Sequence, residues 1–171
     1  GESIYLWDEC YNIDQTTILD LSNRNDSPKL QGEIPLEIGN LTNLVELNLS
    51  NNQLIGEIPS ELGNLVNLSK IYLNHNDFSG EVPISLNNLI NLKVLSLGGI
   101  YNIDGNEFIK GICSLTELQS LWIWGLNLDD NLPECIQELS NLSSFSIGAN
   151  NLTKIPNWVY NINNLEGLYL F

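Results

Sequence analysis

The sequence predicts an α/β repeat: a solenoid of about seven coils, each contributing one short strand to a parallel sheet. Three observations predict it. Apolar-x-apolar triplets begin at Leu19, Leu47, Ile71, Leu95, Leu121, Phe145 and Leu168, separated by 28, 24, 24, 26, 24 and 23 residues. Glycine and proline punctuate the units, as in Gly32-Glu33-Ile34-Pro35, Gly56-Glu57-Ile58-Pro59 and Gly80-Glu81-Val82-Pro83. An asparagine recurs at a fixed offset from the triplet, as Asn52, Asn76 and Asn150. Self-similarity of this period marks units that cannot bury their apolar faces singly and do so by stacking.

Residues 1–15 lie outside the repeat and read as an N-terminal capping segment, aromatic from Ile4 to Tyr11; residues 16–171 form the solenoid. Within each coil the triplet alternates in and out, the period of a half-buried strand. A leucine three positions upstream (Leu44, Leu68, Leu92, Leu118, Leu142, Leu165) and an apolar residue downstream (Leu54, Phe78, Leu128, Leu152) extend the core columns. The Gly and Pro positions are bends, because glycine permits positive φ and proline fixes φ. Pairs such as Leu62 and Leu65 then pack a short helical or extended return segment inward. The recurring asparagine suits a stack, since its amide both donates to and accepts from backbone groups of adjacent turns.

The segment Leu44 to Gly63, LVELNLSNNQLIGEIPSELG, resembles the plant-type extracellular leucine-rich repeat, L-x-x-L-x-L-x-x-N-x-L-x-G-x-I-P, the pattern of receptor ectodomains and polygalacturonase-inhibitor-like proteins. The likeness covers about residues 16 to 171. It implies a right-handed solenoid with its sheet on the concave side, a secreted, extracellular location, and binding of proteins or peptides through that face. Departures fall at Leu126, which replaces the expected Asn, at the two-residue expansion in Gly98 to Asn106, and at four extra residues around Asn25 to Lys29. Secreted members usually pair two cysteines in the cap, whereas here only Cys10 is present, and a free buried thiol is the favoured reading. Cys113 and Cys135 sit on the return segments of adjacent coils, within reach of a disulfide across the ~5 Å strand spacing, and equally readable as two reduced thiols.

Six Lys and Arg against 21 Asp and Glu give a formal charge of −15. Such a field repels phosphate backbones and anionic lipid, which argues against nucleic acid and membrane insertion. The chain stops inside a predicted strand, Leu168 to Phe171, with no polar cap, and starts at Gly1. The expectation is a mature secreted segment or a piece of a longer protein, or one that self-associates end to end through its uncapped coil. N-x-S/T sequons at Asn25, Asn40, Asn48, Asn67, Asn141 and Asn151 are glycosylation candidates; Asn25 is poor because Pro28 follows its Ser27. A repeat reading G-N-L-T-N-L also creates sequons automatically.

Catalysis is not expected. There is one histidine, His75, and no metalloprotease, nucleophile-elbow, phosphate-loop or dinucleotide motif. No cofactor or resident metal is implied. The ladders Glu33, Glu57, Glu81 and Glu37, Glu61 read as a solvated edge, because glycosidase chemistry needs a desolvated acid facing a second across a cleft. Asp104, Glu107, Asp129 and Asp130 with Asn102 and Asn106 only partly resemble a calcium loop.

The signal lies on the sheet. Its middle outward column reads Asp20, Asn48, Tyr72, Ser96, Trp122, Ser146, Tyr169, and the next reads Ser22, Ser50, Asn74, Gly98, Trp124, Gly148, Phe171. Two outward indoles beside Gly98, Gly99, Gly125 and Gly148, with open space left by the missing side chains, mark a contact surface. The ligand-binding candidates are therefore Tyr72, His75, Trp122 and Trp124, with Asn48, Asn74 and Tyr169 as polar or flanking contacts. Three readings compete: indoles that pack locally, a basic protein or peptide anchored on them, and a glycan stacked on them while asparagines bind its hydroxyls. The family resemblance places protein or peptide first.

Overall fold

Seven three-residue strands, Ile18–Asp20, Glu46–Asn48, Lys70–Tyr72, Val94–Ser96, Ser120–Trp122, Ser144–Ser146 and Gly167–Tyr169, form one parallel sheet in chain order. The computed structural model describes residues 1–23 and 28–170. The Asn25 sequon, most of the expansion between Asn25 and Lys29, and Phe171 of the outer column lie outside the described residues. Cross-strand pairing matches Asp20 with Asn48, then Tyr72, Ser96, Trp122, Ser146 and Tyr169, so the middle column is the one the periodicity predicts. Between these outward residues Leu47, Ile71, Leu95, Leu121 and Phe145 are fully buried, and so are Leu49, Leu73, Leu97 and Ile123 one step further along.

Most return segments are 3-10 turns, and that of the fourth coil combines a short α-helix, Asn106–Ile109, with a 3-10 turn at Ile112–Ser114. Leu36–Asn40, Ser60–Asn64, Ile84–Asn88, Glu134–Glu138 and Asn157–Asn161 each begin after a proline whose φ lies between −60° and −69°. In these proline-led turns a single inward apolar residue, such as Ile38, Leu62 or Leu86, joins the core, so one tight turn suffices; in the fourth coil Phe108 and Ile109 enter the core together from the α-helical turn. Cys113 and Cys135, on two adjacent returns, are joined as a disulfide with Cα atoms 6.0 Å apart.

Asparagine amides bind the coils together. Asn76 Nδ2 donates to the Leu49 and Leu73 carbonyls (2.9 and 3.0 Å) while its Oδ1 accepts from Leu54 N. Asn52 and Asn150 repeat the arrangement, which satisfies buried backbone groups that no strand ladder reaches. A second asparagine column, absent from the sequence reading, caps the other flank: Asn43, Asn67, Asn91 and Asn141 donate to the carbonyls of Asp14, Thr42, Val66 and Thr116 in the preceding coil.

The repeat pattern does not foretell two further elements. Gln31–Gly32, Gln53–Gly56, Asp77–Glu81 and Asn102–Asp104 pair as a second parallel sheet along one flank. Stacking brings these polar segments to strand spacing, and their backbone groups pair although the sequence there lacks a long alternating run. Near the N-terminus, Ser3–Leu6 and Glu9–Asn12 form an antiparallel hairpin closed by Trp7 and Asp8 at φ 47° and 68°, the conformation of a two-residue type I′ turn. Its Ile4 and Leu6 enter the core, and the hairpin packs against the first 3-10 turn. Cys10 lies on the outer side of this hairpin, exposed and free. That corrects the buried-thiol expectation: strand alternation buries Ile4 and Leu6 and leaves Cys10, paired with Tyr5, outside.

Candidate functional site

The outward face of the large sheet divides into a polar part and an aromatic part. In the first four strands side chains pair with one another. Lys70 Nζ meets Glu46 Oε2 at 3.0 Å, Ser50 Oγ donates to Asn48 Oδ1 at 2.7 Å, and Ser96 Oγ donates to Asn74 Oδ1 at 2.9 Å. The Lys70 amine is held above its ordinary pKa, first by the hydrogen bond to Glu46 and then by that carboxylate's charge. Asn48 is only 4% exposed with its oxygen engaged by Ser50, which corrects its assignment as a ligand contact and glycan acceptor. Asn74 is half-buried and Tyr72 half-exposed beside it.

Trp122 and Trp124 begin the aromatic part, and neither lies in the core; both are partly exposed. Trp122 Nε1 donates to Ser144 Oγ at 2.9 Å, which fixes the indole over the next strand. Trp124 leans the other way, onto the preceding coil. A Cβ built on Gly98 would stand 2.0 Å from Trp124 Nε1, and one on Gly99 would stand 2.8 Å from Trp124 Cη2. The expected open space beside the indoles is therefore occupied: the glycines make a floor, and Trp124 covers it. A residue larger than glycine at position 98 is incompatible with this packing.

Two more rings complete the cluster. His75 stands 5.4 Å from Trp124, centroid to centroid, with ring planes at 64°. Tyr101 stands 6.0 Å away at 68°, its own ring passing over Gly125. His75 is exposed and adopts φ 57°, in a column of left-handed residues with Asn51, Gly99, Gly125 and Ala149 that turns the chain out of each strand. Tyr101, 63% exposed, is the site residue that sequence reasoning missed. Its signal is an aromatic side chain inside the two-residue expansion after Gly98-Gly99, a place the repeat offers no register to read. Tyr169 sits two strands beyond Trp122, exposed, its ring folded back over Gly167 and apart from the three-ring cluster.

The remaining candidates separate from the face. Glu33, Glu57 and Glu81 line a flank groove of about 710 Å³ with Ile58, Pro59 and Pro83, and Glu33 lies over Gly56 as Glu57 lies over Gly80. These carboxylates stack as a ladder, and the same groove is lined by Ser60 and Glu61, where Ser60 Oγ donates to Glu61 Oε2 at 3.2 Å. The carboxylates compared with a calcium loop serve turns. Asp104 Oδ1 accepts from Asn106 N at 2.8 Å, Asp129 Oδ1 from Asn131 N at 2.9 Å, and Asp130 from Thr153, whose hydrogen bonds hold the Asp130 carboxyl below its ordinary range. Among the described residues no group of three His, Cys, Asp or Glu side chains is placed to hold a metal ion. Of the sequon asparagines, Asn67, Asn141 and Asn151 donate their amide nitrogens to carbonyls of the preceding coil, whereas Asn40 ends a 3-10 turn, exposed. No described helix is long and apolar enough to cross a membrane.

This architecture has relatives. The family model described as a leucine-rich repeat region matches residues 19–171, and the chain belongs to the leucine-rich-repeat family. Among solved structures it is similar to the Arabidopsis receptor kinase HAESA in complex with the peptide hormone IDA and the co-receptor SERK1, at 35% identity and TM-score 0.77 over 84% of this chain and 24% of that one. The plant peptide hormone receptor RGFR1 in complex with RGF2 matches at 34% identity and TM-score 0.80, over 90% of this chain and 24% of that one. PEPR1 bound to AtPEP1 matches at 30% identity and TM-score 0.79, over 94% and 22%. The chain thus spans about a quarter of the length of these receptors. A sequence search of curated proteins finds no match.

Proposed function

We propose that the chain is a non-enzymatic extracellular recognition module that binds a peptide or protein segment across the outward face of its large sheet, anchored on Trp122 and Trp124. The observation that carries this reading is the aromatic part of the face: two partly exposed indoles, fixed by Ser144 and by a glycine floor, sit among rings from neighbouring coils. Rigid aromatic side chains lose little entropy on binding and dominate interface energetics. Similarity to three receptor structures solved with peptide ligands supports a peptide as the partner.

The test is selection of a random-peptide library on the purified chain, followed by affinity measurement on variants. Trp122→Ala should weaken the selected peptides roughly thirtyfold, about 2 kcal/mol. Unchanged affinity in both Trp122→Ala and Trp124→Ala would remove the face from the function. A titration with plant cell-wall oligosaccharides that shifts tryptophan emission, where selected peptides do not, would replace the peptide by a glycan.

A further inference from the structure

Resting on that reading, we infer that the corner formed by His75, Trp124 and Tyr101 receives the guanidinium of an arginine in the bound segment. Rings set at 64° and 68° to one indole, one meeting it at Gly99 and the other passing over Gly125, bring aromatic surfaces from three coils to one point. Each outer ring meets the indole in T-shaped geometry, and His75 and Tyr101 are both exposed, so π surface beside Trp124 stays open to a cation, and a planar guanidinium can also stack on it.

Charge complementarity selects the same occupant. The chain carries −15, and the five lysines among the described residues all lie outside the segments that supply the three rings. Lys70, on the same sheet face, is occupied by Glu46. Exposed Asp77 and Asp104 follow His75 and Tyr101 by two and three residues, so the chain leaving each ring adds negative charge on that flank. Among the described residues Trp124 Nε1 has no acceptor, in contrast to Trp122 Nε1, and this leaves one donor for a carbonyl of the segment that carries the arginine. The glycine floor matters here too. It lets Trp124 lie against the backbone, so the ring is held in place before the ligand arrives.

The experiment uses the whole chain and two probes of equal shape, a tetra-arginine peptide and its tetra-citrulline counterpart, followed by calorimetry and tryptophan emission. The arginine peptide should bind at least about tenfold more tightly than the citrulline peptide, and Tyr101→Leu, which keeps apolar bulk and net charge, should reduce that affinity about three- to tenfold. His75→Asn, chosen because asparagine tolerates the left-handed backbone at φ 57°, should act in the same direction without loss of fold. Equal binding of both probes overturns the inference. So does arginine binding that falls with salt but ignores Tyr101→Leu and His75→Asn, which is attraction to the overall charge alone. If library-selected peptides still depend on Trp122 while arginine-to-citrulline exchange leaves them unchanged, the arginine corner is lost and the peptide-binding face stands; if neither indole matters to any peptide, both fall.

Discussion

The second and third coils differ from the fourth and fifth in how they satisfy the same positions. In the former, Asn52 and Asn76 fill the buried turn and bond three chain segments each. In the latter those positions hold Ile100 and Leu126, fully buried and apolar, and polar bonding moves to the outer flank, where Asn127 donates to the Tyr101 and Ile103 carbonyls. The outward face changes with it, from charged and hydroxyl pairs around Glu46, Lys70, Asn48 and Asn74 to rings around Trp122 and Trp124. The Cys113–Cys135 disulfide joins the returns of these same two coils. The regular part of the solenoid is held by repeated amides; the irregular part is held by a covalent bond and aromatic packing, and it carries the surface we propose for recognition.

Removing the amide should expose the difference most strongly. Asn76→Leu imposes the fifth coil's solution on the third without its compensations, and leaves two buried backbone groups, Leu54 N and the Leu73 carbonyl, unpaired while the Leu49 carbonyl keeps Asn52; the expected cost is about 2–4 kcal/mol of unfolding free energy, read by chemical denaturation. A loss within a few tenths of a kcal/mol would mean that the asparagine ladder is dispensable. Next in size, the double variant Cys113→Ala with Cys135→Ala opens a link between residues 22 apart and should cost about 3 kcal/mol. Hydrogen exchange should localise that loss to the fourth and fifth coils. Uniform loosening from Ile18 onward would contradict a division between the two regions.

Much of this was legible in the sequence, for reasons tied to particular residues. The columns Leu47, Ile71, Leu95 and Leu121, and the outward register from Asp20 to Tyr169, follow from strand alternation and near-constant spacing, which stacking converts directly into neighbours. The bonding role of Asn52, Asn76 and Asn150 follows from amide chemistry. What stayed hidden depends on side-chain direction. Gly98 and Gly99 read as empty space because nothing local says that Trp124 folds back across the preceding strand, and Tyr101 lies in an expansion without a register. Asn48 read as an open contact because its outward position does not reveal that Ser50 covers it. The second sheet arises only when polar segments that look like loops are stacked at strand spacing.

Gly98→Ala probes the aromatic side of the comparison directly. The new methyl would meet Trp124 Nε1 at 2.0 Å, a separation that only movement of the indole can relieve. Expected are a loss of about 1–2 kcal/mol, a red shift of tryptophan emission as the ring swings toward water, and weaker peptide binding. The corresponding change in the polar part, Ser50→Ala, removes a hydroxyl that donates to Asn48 and accepts from Asn51, and should leave emission untouched. Equal spectra for the two variants would show that the floor does not position Trp124.

The smallest effect belongs to the ion pair on the polar part of the face. Lys70 and Glu46 have side chains 45% and 24% exposed, so solvent screens the pair and Lys70→Met should cost only about 0–1 kcal/mol, less at high salt. Its pH dependence has a defined sign. The folded-state pKa of Lys70 is raised above the unfolded value, so the stabilisation is complete below the ordinary lysine range and disappears as pH climbs through the folded value. The melting-temperature difference between the native chain and Lys70→Met should therefore be flat from neutral pH to about pH 10 and shrink above it. A difference that instead persists unchanged above that range would assign it to the lysine's aliphatic stem and its neighbours, and the polar part of the face would then be held by packing, as the aromatic part is.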